Sequence, residues 1–161
     1  MKSIIKETKS LIFYLFMFNT NVFADIYNFK WYNEEKQSDK IVLPDNSNFF
    51  SFTSSGIWED NLGNYGEMKC VVSLFSDSMQ GIELIGYCEA KDNKDEKFWT
   101  KLDRTSSGQE LGIGKMTFLS GTSKYSRLKN ISCPYAVEWV GSGGILKARC
   151  SKEINIKGLL K

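Results

Sequence analysis

The chain has 161 residues, with 21 Lys and Arg against 19 Asp and Glu, four Cys, 42% hydrophobic and 14% aromatic residues, and no His. Without His there is no Ser/His/Asp or Cys/His nucleophile, no imidazole base and no His-containing metal site. A net charge of +2 on a chain of ordinary globular composition gives no electrostatic footprint for nucleic acid.

Residues 1 to 24 have the three parts of a secretory signal: Lys2, Lys6 and Lys9, an apolar run from Leu11 to Phe18, and a polar exit ending Val22-Phe23-Ala24. Cleavage is expected between Ala24 and Asp25. The apolar run is far shorter than the roughly 20 residues that span a bilayer, so no membrane span is expected after cleavage. The mature chain, 25 to 161, would carry 18 basic and 18 acidic groups. Export to the periplasm or the extracellular space, an oxidising setting, predicts that the four cysteines are paired, and three pairings are open. An all-Cys zinc site is not expected, because Cys70, Cys88, Cys133 and Cys150 contain no C-x2-C knuckle.

After the signal, Ile26 to Tyr32 is expected as a strand and Lys36 to Asn48 as a loop, which makes 25–48 an N-terminal strand and loop ahead of a core at 49–151. Phe49 to Glu59 reads as a strand with Phe50 and Phe52 on one side, ended by the turn Asp60-Asn61-Leu62-Gly63-Asn64. Tyr65 to Phe75 and Gly81 to Lys91 alternate with period two around Ser76 to Gln80. A hairpin centred on Met79 opposes Cys70 to Cys88, Met68 to Ala90, Val72 to Gly86 and Leu74 to Leu84. It leaves Glu67, Lys69, Glu89 and Lys91 on the other face, so cysteine pairing and hydrophobic pattern select the same register. The turn Asp92 to Glu96, centred on Lys94, continues that core face through Ala90 opposite Phe98, Cys88 opposite Thr100 and Gly86 opposite Leu102.

Gly112 to Ser120 is a further strand carrying Met116 and Phe118. Ile131 to Val140 and Ile145 to Cys150 flank the turn Gly141 to Gly144, and pairing Cys133 with Cys150 opposes Tyr135 to Ala148 and Val137 to Leu146, with Lys147 and Arg149 outward. The expected disulfides are therefore Cys70 with Cys88 and Cys133 with Cys150. Residues 152–161 form a tail. Seven or eight short antiparallel strands must hide two sheet edges, and a single closed barrel does so most completely, with a β-sandwich as the alternative.

Small residues Gly86, Ala90, Gly114 and Ala148 share the inner face with Phe98, Met116, Phe118, Tyr135 and Trp139. Two outcomes are open: large and small side chains fill a tapering barrel, which is the default, or they leave an apolar cavity with Thr100 and Tyr135 as its polar handles. In the second case Gly86, Thr100, Met116, Phe118, Tyr135 and Trp139 are the candidate ligand-binding residues. No catalytic residue stands out among the carboxylates Glu83, Asp103 and Glu138. The most site-like pair is Asp103-Arg104, where a strand meets a Ser/Gly-rich loop, and Trp99 is the candidate exposed aromatic. The two acidic turns lack the calcium-loop pattern and match ordinary turn chemistry, so no metal is expected. Gly112-Ile113-Gly114 has no phosphate-loop context, and no cofactor is expected.

Gly121-Thr122-Ser123-Lys124-Tyr125, placed between a strand and Ile131-Ser132-Cys133, resembles the G-T-G-K-Y connection of allene oxide cyclase/dirigent-like barrels, with Ser123 in place of the middle glycine. Asp95 to Trp99 and Cys133 to Val137 resemble segments of small uncharacterised exported bacterial proteins. Gly56-x-Trp58 followed by Asp60 and Gly63 is similar to the opening strand of avidin-like and lipocalin-like, that is calycin-like, barrels. The resemblance implies an eight-stranded barrel with a central apolar cavity, no cofactor and often a homo-oligomer. The functional expectation is an exported non-catalytic barrel that binds a small apolar ligand or a protein partner. The alternatives are a cofactor-free cyclase or isomerase and a secreted inhibitor or adhesion module.

Overall fold

A computed structural model describes residues 26–77, 81–106, 112–151 and 156–160; the signal-like residues 1–24 lie outside them. Eight strands run β1 (Asn28–Val42), β2 (Asn48–Asp60), β3 (Tyr65–Asp77), β4 (Gly81–Asp92), β5 (Lys97–Ser106), β6 (Gly112–Gly121), β7 (Ser132–Val140) and β8 (Gly143–Arg149). Each pairs antiparallel with its neighbour in sequence, and β1 pairs with β8, so the sheet closes into a barrel and the sandwich alternative is excluded. Closure removes both edges and their unpaired backbone groups.

The three hairpin registers are those the sequence predicts. Cys70 opposes Cys88 and Val72 opposes Gly86, Ala90 opposes Phe98, and Tyr135 opposes Ala148. Both disulfides form, Cys70–Cys88 with Cα atoms 4.0 Å apart and Cys133–Cys150 at 4.5 Å, and all four sulfurs belong to buried residues on the inner face.

The expected loop from Lys36 to Asn48 is a correction. β1 continues to Val42, and its outer half pairs with β2 from Gln37↔Thr53 to Val42↔Asn48. Two physical reasons hid it. A bulge between Glu35 and Gln37 resets the alternation. Beyond it the hairpin also outruns β8, whose pairing with β1 ends at Glu34↔Gly143, so these residues have no continuous core face to pattern them. β1 is part of the barrel wall rather than an appendage to it, since it supplies the seam with β8.

The two ends of the barrel differ. At the end holding the β2–β3 and β4–β5 turns, Phe29, Trp58, Phe98, Phe118 and Tyr125 pack ring against ring with centroids 5.0 to 6.3 Å apart. Tyr125 and Leu128, both fully buried, come from a 3-10 helix, Ser123–Leu128, that folds across this end. A single helical turn, Ile156–Leu159, lies against it with Ile156 buried, so part of the expected tail belongs to the core.

The acidic turns at this end use their aspartates to hold the turn backbone, as ordinary turn chemistry predicts. Asp60 Oδ1 accepts from the Leu62 and Asn64 amides, both at 2.9 Å. Asp92 Oδ1 accepts from the Lys94 amide at 2.8 Å and the Glu96 amide at 3.0 Å. The second oxygen of Asp92 takes the Tyr125 hydroxyl at 3.0 Å and the Lys124 ammonium at 2.9 Å. Lys124 and Tyr125 are thus locked onto the β4–β5 turn, and Thr122 completes the clasp by accepting the Lys97 amide at 2.8 Å. Ser123 sits at φ 44°, a left-handed conformation that glycine adopts most easily.

Candidate functional site

The opposite half of the barrel is not filled. A cavity of about 410 Å³ opens among the strand ends on the side of the β1–β2 hairpin. Its walls are mostly apolar: Phe50 and Phe52 from β2, Val72 and Leu74 from β3, Ile82 and Leu84 from β4, Leu102 from β5, Val137 from β7 and Leu146 from β8. Period-two alternation puts each of these on the inner face, and the twist of a closed sheet brings them around one axis. The walls stay apart because this half has no counterpart of Tyr125 and Leu128 folded over it among the described residues.

Six polar side chains interrupt the apolar lining: Asn33, Glu35, Ser38, Ser54, Arg104 and Tyr135. Asn33 and Ser54 form one buried pair across β1 and β2: the Ser54 hydroxyl donates to Asn33 Oδ1 at 3.0 Å, and Asn33 Nδ2 donates to the Gly144 carbonyl at 3.1 Å. Both are hydrogen-bonded, so they rigidify the wall. Across the cavity lie Arg104 and Tyr135, buried to 5% and 3% exposure. Arg104 Nε donates to Ser106 Oγ at 3.1 Å. The Tyr135 hydroxyl is pushed up to about 12, first by burial and also by the charge of Asp103, against an opposing pull from Arg104.

Two glycines make room for this pair. A Cβ on Gly112 would stand 2.1 to 2.5 Å from the Arg104 guanidinium atoms, and a Cβ on Gly114 would stand 2.5 Å from the Tyr135 ring and from the Asp103 carbonyl. No real Cβ tolerates such distances, so both side chains lie against bare backbone of β6. Gly112-x-Gly114 is therefore a wall feature, two residues on one face of a strand whose missing side chains seat a cation and a phenol.

The predicted site residues divide between the two halves. Tyr135 and Trp139 line the cavity, Trp139 at the mouth, where it is 39% exposed. Met116, Phe118 and Thr100 lie in the packed half, all buried, and are not among the lining residues. Gly86 faces inward between them, 3.2 Å from Val72 as measured from its ideal Cβ position, and it too stays behind the cavity wall. The Thr100 hydroxyl has no hydrogen-bond partner among the described residues, which makes it a buried orphan outside the cavity lining. Asp103 and Arg104 do not act together: alternation sends Asp103 outward to Lys101 at 2.7 Å while Arg104 points in. Trp99 faces outward but is half-buried, its indole N–H donating to Glu89 at 3.0 Å.

Sequence reasoning missed Trp31, Asn33, Glu35 and Ser38 as lining residues: the first three alternate onto the inner face up to the bulge between Glu35 and Gln37, and that bulge brings Ser38 to the same side. It also did not connect Gly112 and Gly114 to Arg104, although inward glycines beside a strand carrying an inward Arg were a usable signal. No group of metal-ligating side chains is present among the described residues, and none of the helices described is long and apolar enough to cross a membrane. Comparison with known proteins returned no matching family model, curated protein or solved structure.

Proposed function

We propose that the protein is an exported, non-catalytic barrel that holds one small apolar molecule in its half-open interior. The observation that carries this reading is the cavity of about 410 Å³, within the range of about 300 to 1,000 Å³ usual for small-molecule sites, with apolar walls and few polar groups. The paired cysteines and the signal-like residues 1–24 support export to the periplasm or the extracellular space. The likeness to allene oxide cyclase/dirigent-like and calycin-like barrels supports the same architecture. A cofactor-free cyclase or isomerase is the second reading, favoured by Tyr135 standing as a polar group inside an apolar chamber.

The test is native mass spectrometry of the mature protein from its own compartment, before and after denaturation. It is joined to titration with an environment-sensitive apolar dye. A mass that leaves on denaturation, or saturable one-to-one dye binding lost in Val137→Trp while the melting temperature is kept, is the expected result. An empty protein that binds no dye would refute the cavity reading. Turnover of a bound lipid that stops in Tyr135→Phe would replace it with the enzymatic one.

A further inference from the structure

We infer that the ligand is a neutral molecule with a hydrogen-bond acceptor of the ketone or ester type at one end of a hydrocarbon body. It enters acceptor first, and that oxygen takes the Tyr135 hydroxyl at the chamber floor. This rests on the cavity reading above and narrows it to a ligand class and an orientation.

Alternation sets the depth of Tyr135. On β7 the residues Cys133, Tyr135, Val137 and Trp139 turn inward in succession. Cys133 is buried in the packed half and Trp139 stands at the mouth, so Tyr135 is the deepest β7 residue that lines the chamber. The neighbouring strands agree. On β6, Gly114 lies opposite Tyr135, and Met116, opposite Cys133, is fully buried behind the lining. On β8, Ala148 lies opposite Tyr135 and is also behind the lining, whereas Leu146, one inward position nearer the mouth, belongs to it.

The hydroxyl at this floor is unpaired and open. A buried phenol ordinarily finds a hydrogen-bond partner. Burial and the charges of Asp103 and Arg104 act on the Tyr135 hydroxyl, but no hydrogen bond does among the described residues. Its oxygen is nevertheless not enclosed, in contrast to the sealed orphans Thr100 Oγ1, Trp31 Nε1 and Trp58 Nε1. It therefore meets open space, and the space that Tyr135 lines is the chamber. The seat on Gly114 lies against the ring carbon that bears the hydroxyl, so the donor is held in place.

The rest of the floor selects against charge. Trp31, Val72, Leu102 and Leu146 are each the deepest lining residue of their strands, and all are apolar over most of their surface. The Ser54 hydroxyl on β2 is already given to Asn33. Arg104 has partners of its own, Ser106 among them, and stands one inward position nearer the mouth than Leu102. An ionised head at the floor would exchange its hydration for one neutral donor, which is strongly unfavourable. A carbonyl oxygen is satisfied by that one donor. The hydrocarbon body then runs past Phe52, Leu84 and Val137 toward the mouth.

The experiment uses four probes in dye displacement on the mature disulfide-bonded protein near pH 7.5: 2-undecanone, its mid-chain isomer 6-undecanone, the hydrocarbon isostere 2-methyl-1-undecene, and undecanoate. 2-Undecanone is expected to bind about three- to tenfold tighter than the alkene, the range of one hydrogen bond, with 6-undecanone and undecanoate no tighter than the alkene. Tyr135→Phe should bring 2-undecanone to the affinity of the alkene and leave the alkene within about twofold. The infrared carbonyl stretch of bound 2-undecanone should lie at lower wavenumber in the parent than in Tyr135→Phe, which reads the hydrogen bond itself. If Tyr135→Phe fails to fold, the order of the two ketones and the alkene on the parent still decides. Equal binding of 2-undecanone and the alkene would overturn the acceptor head and leave the apolar cavity standing. Equal binding of the two ketones would overturn the acceptor-first orientation, and tightest binding of undecanoate would overturn the neutral head. Failure of all four probes and the dye would remove the cavity reading together with this one.

Discussion

Replacing Asp92 by Ala tests the account of how the closed end is held. Asp92 is 2% exposed and its carboxylate collects four donors: the Lys94 and Glu96 amides, the Tyr125 hydroxyl and the Lys124 ammonium. Truncation leaves the fully buried Tyr125 hydroxyl without its acceptor, a loss of about 1–3 kcal/mol. Lys124 keeps Asn64 at 2.9 Å and Glu96 at 3.9 Å, and the two turn amides can reach water, so these contribute less. The total is about 3–5 kcal/mol, the usual loss when one member of a buried pair is removed, or a fall of about 10–20 °C in Tm for a domain of this size. Urea unfolding followed by tryptophan fluorescence is a suitable assay, since one of the four tryptophans, Trp58, packs 6.3 Å from Tyr125. Asp60→Ala is the control, because it removes a similar turn acceptor with no cation attached, and it should cost about half as much. The acid limb gives a second readout. Burial is the largest single influence on Asp92 and pushes its carboxyl up, but Lys124, the two amides and Tyr125 together outweigh it and hold it below the usual carboxylate range. Its contribution is therefore complete above the unfolded pKa, about 3.9, and is lost as pH falls through the lower folded value. Asp92→Ala should flatten that part of the acid limb. A variant within about 1 kcal/mol of the parent, or one with an unchanged acid limb, would show that the clasp is not what closes the barrel.

Thr100→Val removes a buried hydroxyl that has no partner among the described residues, and it is expected to raise stability by up to about 1 kcal/mol in urea unfolding without changing dye affinity. Loss of binding would instead place Thr100 in the site. Gly114→Ala forces the Tyr135 ring and the Asp103 carbonyl away from a new Cβ, at a cost of about 1–3 kcal/mol. It should weaken binding of the apolar dye, whose chamber Tyr135 lines, and a silent substitution would contradict the seat described for Tyr135. Tyr27, Tyr125 and Tyr135 all have raised pKa values, each chiefly through burial. Stability should hold below the ordinary tyrosine pKa of about 10 and fall as pH rises beyond it, with the Tyr135 share spent near 12. Absorbance of ionised tyrosine, recorded alongside alkaline unfolding, checks this, and early titration of all the tyrosines would refute it.

Much of the architecture follows from short-range pattern. Period-two alternation sets the inner face of β3, β4, β5, β7 and β8, the lengths of the connections between consecutive strands set their registers, and the same alternation pairs Cys70 with Cys88 and Cys133 with Cys150. These quantities depend on neighbours within about twenty residues, and a one-residue slip would turn every side chain to the wrong face, so the sequence determines them by itself. The tertiary structure alone decided three things. It decided that β1 closes on β8, because that pairing joins residues more than a hundred positions apart and the Glu35/Gln37 bulge breaks the local pattern. It decided which end is sealed, because Tyr125 and Leu128 reach the aromatic cluster only once the sheet has curled around them. It also decided the division of the inner face into a packed half and a hollow one. Thr100 and Tyr135 are both polar and both turned inward, and only their height along the barrel axis separates a buried orphan from a cavity wall.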